Sequence, residues 1–470
     1  MGFQFHHIVR FIIAFAFTLS GMASANAQEW LGSAFDNYTP SNAMLINPSA
    51  IVDQKPWLDI HLIGVGAHGT NNLAYLANSR VLSFQSYGTP GVNLDQRNGW
   101  AQLNAQAMGP SASISLGKHA FGFHTCVRAA GNLHRFPAEY MQILLEGNPV
   151  DSGVFQVNNM RAKTLTWGEV GLTYGMILYQ FDKHFLTGGI TVNRLIGLQA
   201  ASLFIDEGTM LVENSRGELL SGNGKYAYAQ PAFTMGGGWS TSLGITYKRM
   251  IDDVTSYVPH GRNVDCHTLP YKWKLSGSVT DLGGVRVKRG GLYNRFDDSE
   301  NPDTYLNSVA SGVDPNSVPR DGDRYTAWLP VGFNGQFDYN FENGLFLNAF
   351  VMQRLSFPSS YGPDRSNLIA VSPRYERKWL MVAMPFSLEN YRDPHLGLAV
   401  RLWILTVGTE HILPYLFRSD VYTADAYVNL RLRLYKAPGC RTKPRKGIDE
   451  FKFGDLFKRG EKDPAACPDW

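Results

Sequence analysis

The sequence predicts an all-β fold, a transmembrane antiparallel β-barrel of about 14 strands with an N-terminal plug-like segment and a short C-terminal periplasmic tail. Three observations carry this expectation. Short segments alternate apolar and polar residues at period 2, an export leader is followed by no long apolar helix, and the polar stretches between segments differ greatly in length. In a barrel only alternate residues meet lipid, so its composition resembles that of a soluble chain. The slightly negative mean hydropathy therefore does not argue against a membrane.

The leader comes first. Arg10 precedes an apolar run from Phe11 to Ala23, and Ala25-Asn26-Ala27 follows it. This is the pattern of a secretory signal peptide over 1-27, with Gln28 the first mature residue; His6 and His7 then belong to the leader and not to a metal site. The run is too short for a spanning helix, and no later run approaches the roughly 18 apolar residues that one needs. No Cys follows the cleavage point, which argues against a lipoprotein anchor.

The remaining chain is rich in Phe (27), Tyr (22), Trp (10) and Gly (47). A net charge of +3 favours no nucleic-acid partner. No Pro/Ser linker and no fixed-period repeat divides the mature chain, so one closed sheet reconciles length with continuity. The expected organisation is a hatch-like segment over 28-56, a barrel over 57-435 and a basic tail over 436-470.

Within the barrel, Ser113 to Phe123 reads as a tight hairpin. In "GEVGLTYGMIL", Val170, Leu172, Tyr174, Met176 and Leu178 share one face, and Glu169, Gly171, Thr173 and Gly175 share the other. "FNGQFDYNF" repeats the pattern, with Phe333, Phe337, Tyr339 and Phe341 opposite Asn334, Gln336, Asp338 and Asn340. Glu342-Asn343-Gly344 supplies an Asn-Gly turn. The last alternating segment, "AYVNLRLRLYK", puts Leu430, Leu432 and Leu434 toward lipid and Asn429, Arg431 and Arg433 toward the lumen. Polar stretches at 207 to 225, 251 to 267 and 294 to 325 read as the long loops of one side, the last of them extracellular, against short turns on the other.

Sites of chemistry are sparse. Gly64-Val65-Gly66-Ala67-His68-Gly69 fits G-x-G-x-x-G, but no helical pattern opens after it, so the glycines are read as permitting strand bending or close packing of a plug. There is no G-x-S-x-G, and the acidic pairs Asp252-Asp253 and Asp297-Asp298 lie in polar loop stretches where solvated charge is the ordinary reading. His119, His124 and His134 do not have metal-ligand spacing. No enzymatic activity, cofactor or metal is expected. Of four cysteines, Cys440 and Cys467 bracket the tail and form the candidate disulfide; Cys126 and Cys266 are read as free thiols.

At "DNYTPSNAMLINPSAIVDQKPWLDIHLIGVGAHGTNNLAYL" the chain resembles the DUF5723 family of Bacteroidota outer-membrane proteins. The resemblance continues through "GPSASISLGKHAFGFHTCVRAAGN", "WGEVGLTYG", "GGGWSTSLGITYKR", "YKWKLSGSVTDLGG" and "VSPRYERKWLMVAMPFS". More distantly, Asn47, Pro48 and Ala50 resemble the Asn-Pro-Ala motif in the hatch of FadL-like barrels, with Ser49 standing where that motif has alanine. The resemblance implies a Sec-exported barrel in the outer membrane of a Gram-negative bacterium, in contact with its lipid. By analogy it implies a channel or transporter for small or hydrophobic molecules. The alternative is a non-transporting scaffold that engages a periplasmic envelope or secretion partner through the tail.

Overall fold

The computed structural model describes residues 30-79, 90-96, 98-139, 141-142, 153-213, 216-229, 235-261, 264, 266-287, 291-296, 324-356, 361-417 and 419-437. Among these, fourteen antiparallel strands close into one barrel. They are β1 (Leu58–Asn71), β2 (Gly99–Met108 and Ser111–Leu116), β3 (His119–Phe136), β4 (Gly153–Phe181), β5 (His184–Glu213), β6 (Arg216–Ala229 and Gly236–Met250) and β7 (Tyr271–Val287 and Gly291–Phe296). There follow β8 (Thr326–Trp328 and Gly332–Asn340), β9 (Leu345–Arg354), β10 (Leu368–Glu376), β11 (Leu380–Ala383 and Phe386–Glu389), β12 (Asp393–Leu396 and Leu398–Leu402), β13 (Leu405–Thr409) and β14 (Thr423–Leu434). Each strand pairs with its neighbours in sequence, and β1 pairs with β14 from Leu58↔Leu434 to Thr70↔Thr423, which removes both sheet edges.

That closure puts the start of β1 and the end of β14 at one end of the barrel, called here the near end. Tight connections cluster there: Gly117-Lys118, Asp182-Lys183, 341-344, 377-379 and 403-404. Gly117 (φ +66°) and Gly344 (φ +90°) take left-handed backbone in two of these turns, as short hairpins demand.

The strands have two unlike faces. Outward positions carry Phe121 and Phe123 on β3, Leu172 on β4, Leu243 and Ile245 on β6, and Leu432 and Leu434 on β14, all exposed. Inward positions carry polar and charged groups that are buried within the molecule, among them Asp59, Asp338, Arg374, Arg401 and Arg431. This is inverted relative to a water-soluble protein, where exposed large apolar side chains do not form a continuous band. On β6, exposed Trp239 toward the far end and Tyr247 toward the near end are eight residues apart, close to the ~9–11 residues a tilted strand needs to cross a bilayer. Tyr247 continues sideways through Trp273 and Phe337 as a row of aromatic contacts.

Two expectations about loops need correction, and a third falls mostly outside the described residues. The polar stretch 207-225 is not a loop: β5 and β6 pair through it, from Glu207↔Asn223 to Glu213↔Arg216. At 30 residues β5 is far longer than a membrane crossing requires, so this hairpin stands in water at the far end. There the apolar period has no lipid to serve, yet the hydrogen-bonded ladder persists. The stretch 251-267 is not with the long loops either. It joins β6 to β7 at the near end, where Met250 N donates to Lys183 O and Val254 N to Asp182 O. Of 294-325, residues 294-296 belong to β7 and 324-325 precede β8 at the far end; 297-323 lie outside the described residues.

Candidate functional site: a plugged lumen under a charged vestibule

From Trp30 to Lys55 every residue is buried or half-buried, because this segment occupies the near half of the lumen. It folds as α1 (Leu31–Ala34), α2 (Pro40–Ile46) and a 3-10 turn (Pro48–Ile51). Pro40 and Pro48 stand at the first helical positions, where the missing N–H is not needed. A chain inside a polar lumen must satisfy its own backbone and the wall together.

The plug does so with charge. Arg401 Nε on β12 donates to Asp36 Oδ2 at 2.5 Å, both groups fully buried. Burial would raise the Asp36 carboxyl, but Arg401 and then Arg433 hold it below its ordinary 3.8. Lys248 on β6 reaches Asp53 at 2.9 Å, and Asp53 also accepts from the Tyr257 hydroxyl of the 251-270 loop. From the same loop, His260 Nε2 donates to Gln54 O at 2.9 Å; burial lowers this imidazole below its usual 6.5, so it stays neutral. Asn37 bonds Glu376 and Tyr271, which join a wall network in which Arg374 reaches Glu376 at 2.9 Å and Asp338 at 3.2 Å. Buried charges of this kind persist only when paired and hydrogen-bonded on all sides.

Asn47, Pro48, Ser49 and Ala50 sit at the centre of this seat. Asn47 Oδ1 accepts from Ser49 N (3.0 Å) and Ser49 Oγ (2.8 Å), capping the 3-10 turn, while Asn47 Nδ2 donates to Thr246 on β6 at 3.1 Å. Ser49 Oγ also meets Thr246 Oγ1 at 2.7 Å. The serine thus adds a wall contact that alanine lacks. Two wall glycines admit the turn: a Cβ on Gly189 would lie 2.5 Å from the Pro48 carbonyl carbon and Ser49 N, and one on Gly244 would lie 2.0 Å from Asn47 Oδ1.

Above the plug a polar layer crosses the lumen. Glu389 Oε2 meets His68 Nε2 at 3.0 Å and its Oε1 accepts from Ser366 Oγ at 2.6 Å. Ser366 also reaches Gln102, and His395 meets His411 at 2.7 Å. The serine hydroxyl engages a carboxylate and an amide, so it forms no nucleophile–base pair with a histidine. The layer also touches the plug, since Gly32 N donates to Glu410 at 3.2 Å.

Beyond this layer a cavity of about 1300 Å³ opens at the far end. Arg135, Arg161, Lys163, Arg354 and Arg392 line it, against the carboxylates Asp95, Asp364 and Asp393. Lys163 pairs with Asp364 at 3.0 Å. The remaining lining is mainly amide and hydroxyl, with Trp100 and Phe204 as its large apolar members. A cleft with such a surplus of one sign focuses its field on solutes of the other.

The residues singled out in the sequence fall as follows. Arg431 is fully buried in the lumen, Asn429 likewise, and Arg433 donates to Tyr38 O of the plug at 2.8 Å. Gly64 to Gly69 lie inside β1 with no helix after them. Asp253 accepts from Thr255 N (2.9 Å) and Oγ1 (2.6 Å) in a near-end turn, an ordinary loop role, and Asp252 is beside it; Asp297 and Asp298 lie outside the described residues. His119 stacks on Tyr174, His124 lies 3.7 Å from Glu169, and His134 is in the vestibule wall. Cys126 is buried, and its Sγ donates to Val127 O at 3.7 Å. Cys266 corrects the expectation of a free thiol, because it is disulfide-bonded. Cys440 and Cys467, the candidate disulfide, lie outside the described residues.

Sequence reading placed Asp338 on the polar face but missed Asp36, Asp53, Lys248, Arg374 and Arg401. Three of these carried the signal that revealed Arg431, a charge at the inward phase of an alternating strand, as in "LAVRLW" and "GITYKR". The plug aspartates carried none, since their meaning depends on which wall residue they meet.

No curated protein matches the chain. Among solved structures it is similar to the Ralstonia pickettii toluene transporter TbuX, with 10% identity, TM-score 0.42 and coverage of 84% of this chain and 94% of that one. It is also similar to the P. putida toluene transporter TodX (10%, TM-score 0.32, 85% and 95% covered) and to a Pseudomonas aeruginosa FadL homologue (8%, TM-score 0.31, 87% and 98% covered). Residues 48–410 match the family described as "Family of unknown function (DUF5723)". The chain, a closed β-barrel with its own N-terminal segment in the lumen, belongs to the DUF5723 family.

Proposed function

We propose that this protein is a plugged outer-membrane channel that admits small polar solutes, preferentially anions, from its far end, and that the far end is extracellular. The vestibule carries the reading: five cationic side chains against three carboxylates around an open cavity of about 1300 Å³. An apolar solute would have to displace the hydration of these charges without repaying it. The reading therefore takes the small-molecule branch of the sequence expectation and sets aside the hydrophobic one. The outward apolar face supports the membrane setting, and the plug supports a gated rather than a constitutively open pore.

The test is ion selectivity in planar bilayers, with the plug intact and with residues 30-55 deleted. Anion preference is expected in both, larger currents after deletion, and loss or reversal of the preference in Arg135→Glu with Arg392→Glu. Uptake of an apolar solute in place of anions, unchanged by the charge reversals, would overturn the reading. The scaffold alternative rests on the tail, of which 438-470 lie outside the described residues.

A further inference from the structure

Arg431 differs from the other lumen arginines. Arg401 and Arg374 both donate to carboxylates. Arg431 is fully buried, yet none of Nε, Nη1 and Nη2 has a hydrogen-bond partner among the described residues. Its nearest carboxylate oxygen, Asp59 Oδ2, is 3.6 Å away and already accepts from Ser41 N (3.2 Å) and Ser41 Oγ (2.5 Å) of the plug.

The surroundings share this condition. His61 stands opposite Arg431 and Gly64 opposite Asn429 across the β1–β14 seam. The side chains of His61 and Asn429 converge over Gly64, where a Cβ would lie 2.6 Å from His61 Nε2 and 2.1 Å from Asn429 Oδ1. Among the described residues, both amide atoms of Asn429 and the hydroxyl of Thr406, which pairs with Asn429 from β13, lack hydrogen-bond partners, and the His61 ring has only the backbone of Ile63 as a partner. Nε1 of Trp30, the plug residue whose ring centroid is 6.4 Å from that of His61, also lacks a partner among these residues. Buried polar groups concentrate in this way where water or an ion completes them.

Charge separates those two completions. Arg374, Arg401, Arg431, Arg433 and Lys274 form one linked network with the four carboxylates Asp36, Asp59, Asp338 and Glu376, which leaves one positive charge in surplus. Water satisfies donors but does not neutralise a buried cation, and an uncompensated one is costly.

We propose that Arg431, with His61, Asn429, Thr406 and Trp30 around it, forms a binding site for a small monovalent anion between the plug and the β1–β14 wall. Asp59 Oδ1 and Asn429 Oδ1 are acceptors in the same set, so water accompanies the anion there. Because Trp30 comes from the plug and Arg431 from the wall, the complete site exists only with the plug seated. Bound anion then favours the seated state by linkage.

The probe is bromide, applied to the full-length barrel in detergent. Crystals grown in bromide should show an anomalous peak beside the Arg431 guanidinium, and the thermal midpoint should rise with bromide relative to gluconate at equal ionic strength. Arg431→Met should lose both responses. Trp30→Phe, which keeps the ring and removes the donor, should weaken the midpoint response even where Arg431→Met assembles poorly. Ordered water without an anomalous peak, or a midpoint response unchanged in both variants, would overturn the site. No solute passage is read in these measurements, so their failure is distinct from failure of the channel reading.

Discussion

In the near half of the barrel, Arg401 meets Asp36 and Lys248 meets Asp53, both carboxylates carried in by the plug. In the far half, Arg135, Arg354 and Arg392 line an open cavity whose other half is solvent. Both halves present cations inward from alternating strands and apolar groups outward. What differs is the partner. Where the chain's own N-terminal segment supplies the counter-charges, the lumen becomes a packed interior; where it does not, the same kind of lining surrounds an open cavity.

The comparison depends first on the faces of the strands being assigned correctly. Leu432 is exposed on the outer face near the end of β14, and an arginine on that face costs from ~0 to 1 kcal/mol at the membrane edge to ~2 to 4 kcal/mol at the bilayer midplane. Leu432→Arg should therefore reduce heat-modifiable folded protein more than Arg431→Leu does. Equal losses in the two variants would show that inside and outside are not chemically distinct on β14.

A smaller effect separates plug seating from barrel stability. Gly189→Ala forces a Cβ to within 2.5 Å of the plug backbone, and overpacking of this kind costs ~1 to 3 kcal/mol. Gly277→Ala meets nothing within 4 Å. Conductance in bilayers should rise in the first variant and stay at the wild-type level in the second. A silent Gly189→Ala would mean that the plug is not held at the Asn47-Pro48 turn.

The near half should also respond more to acid. His260 has a folded pKa below its ordinary 6.5, so the seat loses stability as pH falls from 6.5 toward the folded value. Asp36 has a folded pKa below 3.8, so its contribution is intact above 3.8 and is lost as pH falls through the lower, folded value. Plug release followed by protease access should thus begin below about pH 6.5 and steepen below about pH 4. His260→Gln should remove the first step and leave the second, and identical pH profiles in the variant and wild type would detach the 251-270 loop from plug seating.

The smallest expected effect is a change in mass alone. Non-reducing peptide mapping should recover Cys266 in a disulfide-linked peptide. Alkylation of Cys266 without reductant would remove the covalent bond from the 251-270 loop.

Much of this was legible in residue order. Strand phase was readable at 169-178, 333-341 and 428-434, because lipid outside and polar lumen inside impose period 2 wherever a strand crosses the membrane. The Asn-Gly turn at 343-344 was readable because left-handed backbone restricts residue choice. At 207-225 the same reasoning failed. That hairpin extends beyond the length a membrane crossing needs, and backbone pairing persists there without the alternating pattern.

Sequence by itself determined the class of fold, the approximate strand number, and that Arg431 and Arg433 point away from lipid, since each follows from local chemistry repeated every second residue. Tertiary structure alone decided that Asp36 belongs to Arg401, 365 positions away, that the 251-270 loop closes over the plug, and that Arg431 has no hydrogen-bond partner among the described residues while Arg401 has several. Those outcomes depend on which inward positions face each other across a closed lumen. Closure brings together residues of any separation in the chain, and no period in the sequence encodes that distance.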